Sequence, residues 1–289
     1  MPLWGKSGLS RFSISRANRA LKESFHNWRK WDLSLKEIVY LFLDGIYMGV
    51  RAGSREKEAI LIAHPIDREG RRVVLHLSLG VRESIESWKG VLNELWDRGL
   101  KPPQLIITDG NPGLLRAINE IWPEVPRQRC TVHRTRNVLA RVPKRRQGEV
   151  KKALYRIFHA ACLDDARGEA QRFASRYCKE FPTATEALIR RLEECLTFYC
   201  FPEQHWKHIR TSNVLERAFK EVKRRTNVVG RFPTETSALI VVFGILEEKR
   251  LSWQKVRMRA EDIAWIEEAT KSLVEEPIKL KLPEEVLVA

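Results

Sequence analysis

Asp44 stands inside the apolar run Tyr40-Leu41-Phe42-Leu43-Asp44-Gly45, where an unpaired carboxylate costs several kcal/mol on burial and is therefore paired or metal-bound. Asp109 closes a second short apolar run, Leu105-Ile106-Ile107-Thr108. With these two runs side by side in a sheet, both carboxylates project into one crevice. Two adjacent like charges are tolerated there when a divalent cation neutralises them. A third acid comes from the stretch Ser212-Asn213-Val214-Leu215-Glu216-Arg217-Ala218-Phe219. Ser212 is a good N-cap, and Val214, Leu215, Ala218, Phe219 and Val222 make a buried helical face with Glu216 on its flank, one turn in. Glu221 lies on the same helix, and helical geometry alone does not choose between the two. Taken singly, each acid has an ordinary reading: Asp-Gly pairs form turns, and a carboxylate on a surface helix is usually solvated.

Other polar groups bear on the same chemistry. Cys130 and His133 are spaced as half of a zinc site, with Cys195, Cys200, His205 and His208 as candidates for the rest. Those spacings match no common finger. His133, just past an expected fifth strand, is placed either to position a phosphate or proton, or to sit neutral in the core. Arg210, Arg217, Arg224 and Arg225 give the Glu216 helix phosphate contacts or an ordinary solvated basic face. Trp206, beside His205, stacks on an unpaired base or packs in the core.

The elements that must position these residues follow from pattern. The chain has 289 residues, 43% of them hydrophobic, and carries a formal net charge of +15, which excludes fibrous and disordered classes and favours a nucleic-acid partner. Its longest apolar runs, Ile38 to Leu43 and Ala238 to Leu246, fall short of the ~20 residues that cross a bilayer, and the first 30 residues hold no apolar signal region. Five cysteines without a C-x-x-C pair suggest reduced thiols and a cytoplasmic protein without membrane contact.

Apolar residues Ile14, Ala17, Leu21, Phe25 and Trp28 recur at helical steps opposite Arg16, Arg19 and Lys22. After the turn Gly8-Leu9-Ser10 this reads as the second half of a helix-turn-helix or as an amphipathic lead-in helix packed on the main domain. Three strands follow, up to Leu79, then a helix over 84–98, the strand 105–108, a helix from about Gly113 to Ile121, and a fifth strand near Arg127 to Val132. Residues 134–200 read as helix after helix with no clear strand. The basic cluster Lys144, Arg145, Arg146, Lys151 and Lys152 makes that block an expected wall of a DNA channel.

The strings Tyr40 to Gly45, Ile107-Thr108-Asp109-Gly110 and Gln128 to Leu139, with His205-Trp206-Lys207-His208-Ile209-Arg210-Thr211-Ser212-Asn213-Val214-Leu215-Glu216-Arg217, resemble the Mutator-type transposases of bacterial insertion sequences. Arg224-Arg225-Thr226 and Gly230-Arg231-Phe232-Pro233 continue the last block. The resemblance covers roughly residues 10 to 255. It implies an α/β ribonuclease-H-like fold: a mixed five-stranded sheet, flanking helices and an all-helical insertion before the last catalytic helix. It also implies a catalytic triad of Asp44, Asp109 and Glu216 binding Mg2+, with Mn2+ as a substitute. Glu216 rather than Glu221 matches the third acid, His133 joins the catalytic group, and Arg134 joins Trp206, Arg210, Arg217, Arg224 and Arg225 as DNA contacts.

The implied partner is double-stranded DNA at transposon ends and target, bound by a homodimer at the nucleoid. The implied organisation is a remnant of an N-terminal DNA-binding region or lead-in helix over 1–35, core over 36–139, insertion over 140–205, core with the catalytic helix over 206–255, and a tail over 256–289. Met1 falls within what resembles the end of the family's N-terminal region, so recognition of specific terminal repeats is expected to be weak. The alternatives are a truncated or repurposed DNA-binding protein and a structure-specific nuclease on the same fold, which cuts without joining.

Overall fold

Strand β1 (Ile38–Met48) is the spine of the molecule, and its side chains alternate between two cores. Tyr40, Phe42, Ile46 and Met48 enter one, while Leu41 and Leu43 enter the other, as the period of two in a strand requires. The computed structural model describes residues 10–49, 58–80, 83–229 and 232–278. Strands β2 (Glu58–Asp67) and β3 (His76–Gly80) continue from β1 as an antiparallel meander. Strand β4 (Leu105–Thr108) and the short β5 (Arg127–Arg129) add in parallel on its other side. The resulting order, β3-β2-β1-β4-β5, is the ribonuclease-H-like α/β sheet expected from the sequence.

One sheet face is covered by α2 (Ile85–Asp97) and α3 (Pro112–Ile121), which bury Trp88, Val91, Leu92, Leu95, Leu114 and Ile118 against Leu41, Leu43 and Ile106. The other face carries α1 (Arg11–Arg29), α4 (Thr131–Leu139), α10 (Asn213–Thr226) and α11 (Glu235–Arg250). In α1, Phe25 and Trp28 pack on Phe243, and the Trp28 indole donates to the Val74 carbonyl at 2.7 Å. Phe12, Ile14, Arg16, Arg19 and Lys22 of α1 stay exposed. The helix therefore docks by its C-terminal half only, and the Gly8-Leu9 turn read ahead of it lies outside the described residues.

Between β5 and α10 the described residues form helices and turns only. After α4 come α5 (Gln147–Phe158), α6 (Leu163–Tyr177), α7 (Pro182–Ile189), α8 (Glu193–Leu196) and α9 (Glu203–Ile209). The buried Gln128 side chain ties this helical insertion to β5. Its amide donates to the Cys195 carbonyl at 3.1 Å and accepts from the Phe198 N–H at 2.8 Å, so a polar group in the core is satisfied on both sides. A last helix, α12 (Ala260–Glu275), buries Ile263 and Ile266 in the stretch the sequence reading assigned to a tail. Among the described residues no helix is long and apolar enough to cross a membrane.

His64 on β2 is fully buried, edge-on to Trp253, with Nδ1 donating to the Val73 carbonyl at 2.7 Å. Burial first, and the nearby Arg72 charge second, push its pKa down to about 3. The folded state keeps this histidine neutral while the unfolded chain protonates near 6.5. Its contribution is therefore intact above pH 6.5 and shrinks as pH falls from there toward 3. Urea unfolding at pH 7 and pH 5 is expected to show the wild type losing about 2 kcal/mol more than His64→Gln between those pH values. Equal losses would contradict a buried neutral His64.

Candidate active site

Asp44 shares its parity on β1 with Tyr40, Phe42 and Ile46, and Asp109 shares its parity with Leu105 and Ile107 of β4. Both carboxylates therefore leave the sheet on the face that carries α4 and α10. The parallel register pairs Phe42 with Ile107 and Leu43 with Thr108, so the next step along both strands sets Asp44 beside Asp109. Asp44 is 7% exposed, and its Oδ1 accepts from the Gly45 N–H at 2.8 Å. Burial first, and the Asp109 charge second, raise its pKa to about 7. Asp109 closes its own turn: Oδ1 accepts from the Asn111 N–H at 2.9 Å, and Asn111 caps α3 through Gly113 and Leu114. Gly110 has φ +89°, and a Cβ there would come within 2.1 Å of Arg129 Nε. Only glycine lets the chain turn past Asp109 under that guanidinium.

The expected strand over 127–132 ends at Arg129. Cys130 still donates its N–H to the Thr108 carbonyl at 2.7 Å, but Thr131 is drawn off the ladder, its N–H and hydroxyl both donating to the Arg210 carbonyl at 3.0 and 3.1 Å. Helix α4 therefore starts at Thr131 and lifts His133 onto its first turn. The same Arg210 carbonyl lies just before α10, and the Ser212 N–H donates to Cys130 Sγ at 3.4 Å. These bonds hold the starts of α4 and α10 together.

On α10, Glu216 faces α4. Arg136 grips it in a fork, Nη1 to Oε1 at 3.0 Å and Nη2 to Oε2 at 2.8 Å, and His133 Nε2 lies 3.7 Å from Oε1. Burial pushes the Glu216 carboxyl up, but the Arg136 hydrogen bonds and charge, with His133, outweigh it and leave it below the usual value. His133 is raised to about 9, first by its hydrogen bond with Cys130, against desolvation, and then by the charges of Cys130, Asp44 and Asp109. One imidazole thus senses both aspartates and touches Glu216. Glu221 faces away, bound by Arg224 and Arg225.

Several expected DNA contacts are engaged elsewhere. Arg134 is 4% exposed, and its guanidinium donates to the Ala187, Arg190 and Arg191 carbonyls. Its guanidinium is spent on bracing the end of α7. Arg224 is paired with Glu221, and Arg225 with Glu221 and Glu248 at 2.6 to 2.8 Å, so their charges are already neutralised. The Trp206 indole donates to the Phe201 carbonyl at 2.8 Å and packs edge-on against Phe198 and Tyr199. It belongs to the apolar base of the insertion rather than to a base-stacking surface. Arg210 donates to the Phe158 carbonyl at 3.4 Å. Arg217 is exposed on α10. The zinc alternative does not assemble: His205 is held between the Tyr40 hydroxyl and the Arg257 carbonyl at 2.8 Å each. Among the described residues the one cluster of such ligand atoms is Cys130, His133 and Glu216.

Glu83, which the sequence reading missed, joins the aspartates. A Cβ on Gly45 would come within 2.7 Å of Glu83 Oε1, so this carboxylate lies directly over the residue after Asp44. Burial and the Asp109 charge raise its pKa, against a hydrogen bond from Tyr47. Glu83 sits in the short link ahead of Ser84, the N-cap of α2, and no periodicity marks it. Its place is shown only by the packing over Gly45.

The donor set fits a hard divalent cation. Asp44 and Asp109 offer carboxylate oxygens from one crevice, and the Asp44 charge is buried at a cost that a cation would relieve. Glu216, held by Arg136 and beside His133, would have to leave that fork to join them.

The profile of the family described as "Transposase, Mutator family" matches residues 2–256. The chain is 36% identical to the transposase for insertion sequence element ISRM5 of Rhizobium meliloti over 244 residues, 84% of this chain and 61% of that protein. It is 31% identical to the transposase for IS6120 of Mycolicibacterium smegmatis, with 86% and 77% covered, and 32% identical to that for IST2 of Acidithiobacillus ferrooxidans, with 85% and 83% covered.

Proposed function

The chain belongs to the Mutator family of transposases, and from that membership we propose that it cuts and joins DNA strands at the ends of an insertion sequence, with Asp44, Asp109 and Glu216 holding two divalent ions. The observation that carries this reading is the shared parity and register of Asp44 and Asp109, opposite a helix that presents Glu216. Mg2+, or Mn2+ in its place, supplies charge at both the attacking and the leaving oxygen of an in-line phosphoryl transfer when bound. Asp44 lies on β1 and Asp109 directly follows β4, the neighbouring parallel strand, so the central sheet sets their positions. Glu216 on α10 would hold metal in place of its Arg136 fork, and the Arg136 guanidinium would then be free to hold a phosphate oxygen. His133, protonated through its neighbours, is placed to hold a second phosphate oxygen or a proton. The net charge of +15 favours binding to duplex DNA, and pairing of two ends calls for a homodimer on the DNA.

The test is a reaction of the purified chain, Mg2+, a target plasmid and a fragment carrying the genomic DNA that flanks its reading frame. Joined products that disappear with Asp109→Asn are expected. Cutting without joining would replace the reading with a nuclease, and binding without either reaction in Mg2+ and Mn2+ would overturn it.

A further inference from the structure

Several arginines of the insertion and α10 are ion-paired: Arg146 with Glu149 and Glu180, Arg156 and Arg172 with the shared Glu169, and Arg225 with Glu221 and Glu248. A second group lines a cleft of about 590 Å³ between α3, α4 and the end of α7, and this cleft opens at Gly110, one residue from Asp109. Its walls carry Arg116, Arg129, Arg141, Arg190 and Arg191 against a single acid, Glu186. Among the described residues, Arg116, Arg129, Arg141 and Arg190 have no carboxylate within 4 Å, and Arg191 reaches Glu194 only at 3.7 Å.

We infer that this cleft binds the backbone phosphates of the DNA strand that runs past the carboxylate site. The inference rests on the DNA-processing reading above. Two features show that the arginines are held for a ligand rather than left over. Arg129 is half-buried against Gly110, with Nε 3.3 Å from the Asp109 carbonyl oxygen, and a guanidinium withdrawn from water without a counter-anion is costly unless an anion arrives. Arg191 is the one non-glycine among the described residues with positive φ, at 59°, a conformation that costs roughly 1–2 kcal/mol. The buried Arg134 sustains it by binding the Arg190 and Arg191 carbonyls, which leaves both side chains at the cleft. Arg134 is thus a positioning residue for the wall. The lining contains no aromatic ring on which a base could stack, and its guanidiniums are spread over two walls, which suits a run of phosphates better than one small anion.

The double variant Arg116→Gln, Arg190→Gln changes two exposed side chains, and its thermal melt checks that the fold is kept. Binding of a 30-bp random-sequence duplex, without divalent metal, is read by fluorescence anisotropy from 50 to 200 mM salt. The slope of log affinity against log salt is expected to become shallower by about 2, and affinity at 0.1 M salt to fall on the order of 50-fold. Arg172→Gln, which removes an already paired charge, is expected to leave both unchanged. A wild-type slope in the double variant, or an equal loss in Arg172→Gln, would overturn the assignment. Asp109→Asn is expected to bind this duplex with the wild-type slope while losing strand cutting, so the cleft and the proposed chemistry fail separately.

Discussion

Replacing Asp44 with asparagine is expected to abolish metal-supported strand cutting and, in the same protein, to stabilise the metal-free fold. The first effect follows from the proposed role of Asp44 as a ligand of ions that would contribute several kcal/mol to the transition state; at 1.36 kcal/mol per tenfold, the loss is about 10³-fold or more. The second follows from burial. The folded Asp44 carboxyl is raised from 3.8 to about 7, so the folded state binds its proton more tightly than the unfolded chain does. That contribution is fully present below pH 3.8 and is lost as pH rises through about 7. Asparagine keeps the Gly45 hydrogen bond and carries no charge at any pH. The variant's advantage should be small at pH 4, grow toward pH 7 and reach at most about 4 kcal/mol above it. Urea unfolding at pH 4 and pH 7.5 in EDTA checks this, and equal stability at pH 7.5 would show that Asp44 is solvated rather than buried beside Asp109.

Glu216→Gln and Glu221→Gln are expected to part company. Both glutamates lie on α10 and both are gripped by arginines, but Glu216 faces His133 and Arg136 across from the aspartates, whereas Glu221 faces Arg224 and Arg225. Glutamine at 216 removes a proposed charged metal ligand and should lower strand cutting by about 10²-fold or more. Glutamine at 221 removes a surface pair of small energetic weight and should leave cutting within about twofold of wild type. The reverse order of effects, in a cutting assay at fixed DNA and Mg2+, would move the third acid to Glu221.

How far these residues could be read from the sequence depended on where their partners lie. Asp44 was legible because a carboxylate inside an apolar strand is anomalous on its own, and Asp109 because a strand end followed by Asp-Gly-Asn-Pro announces a turn and a capped helix. The strands themselves were marked by their apolar runs. Periodicity could not separate Glu216 from Glu221, since both flank the buried stripe of α10; the resemblance of the surrounding block made that choice. The end of β5 was misread because Thr131 is captured by the Arg210 carbonyl, a partner far along the chain. The same reason explains Arg134 and Arg225, whose partners are carbonyls of the α7 end and Glu248: a basic residue looks free in a sequence until its distant acceptor is known. Glu83 was invisible because a lone acid in a short link has no pattern, and only the packing above Gly45 reveals it.

Titration of the metal-free protein with Mn2+, followed by the paramagnetic resonance of the free ion, tests the shared carboxylate site most directly. The wild type is expected to take up Mn2+, Asp44→Asn and Asp109→Asn to lose that uptake, Glu216→Gln to weaken it, and Glu221→Gln to match the wild type. Uptake by Asp44→Asn and Asp109→Asn equal to that of the wild type would mean that these carboxylates do not form one metal site, and the account built on them would fall.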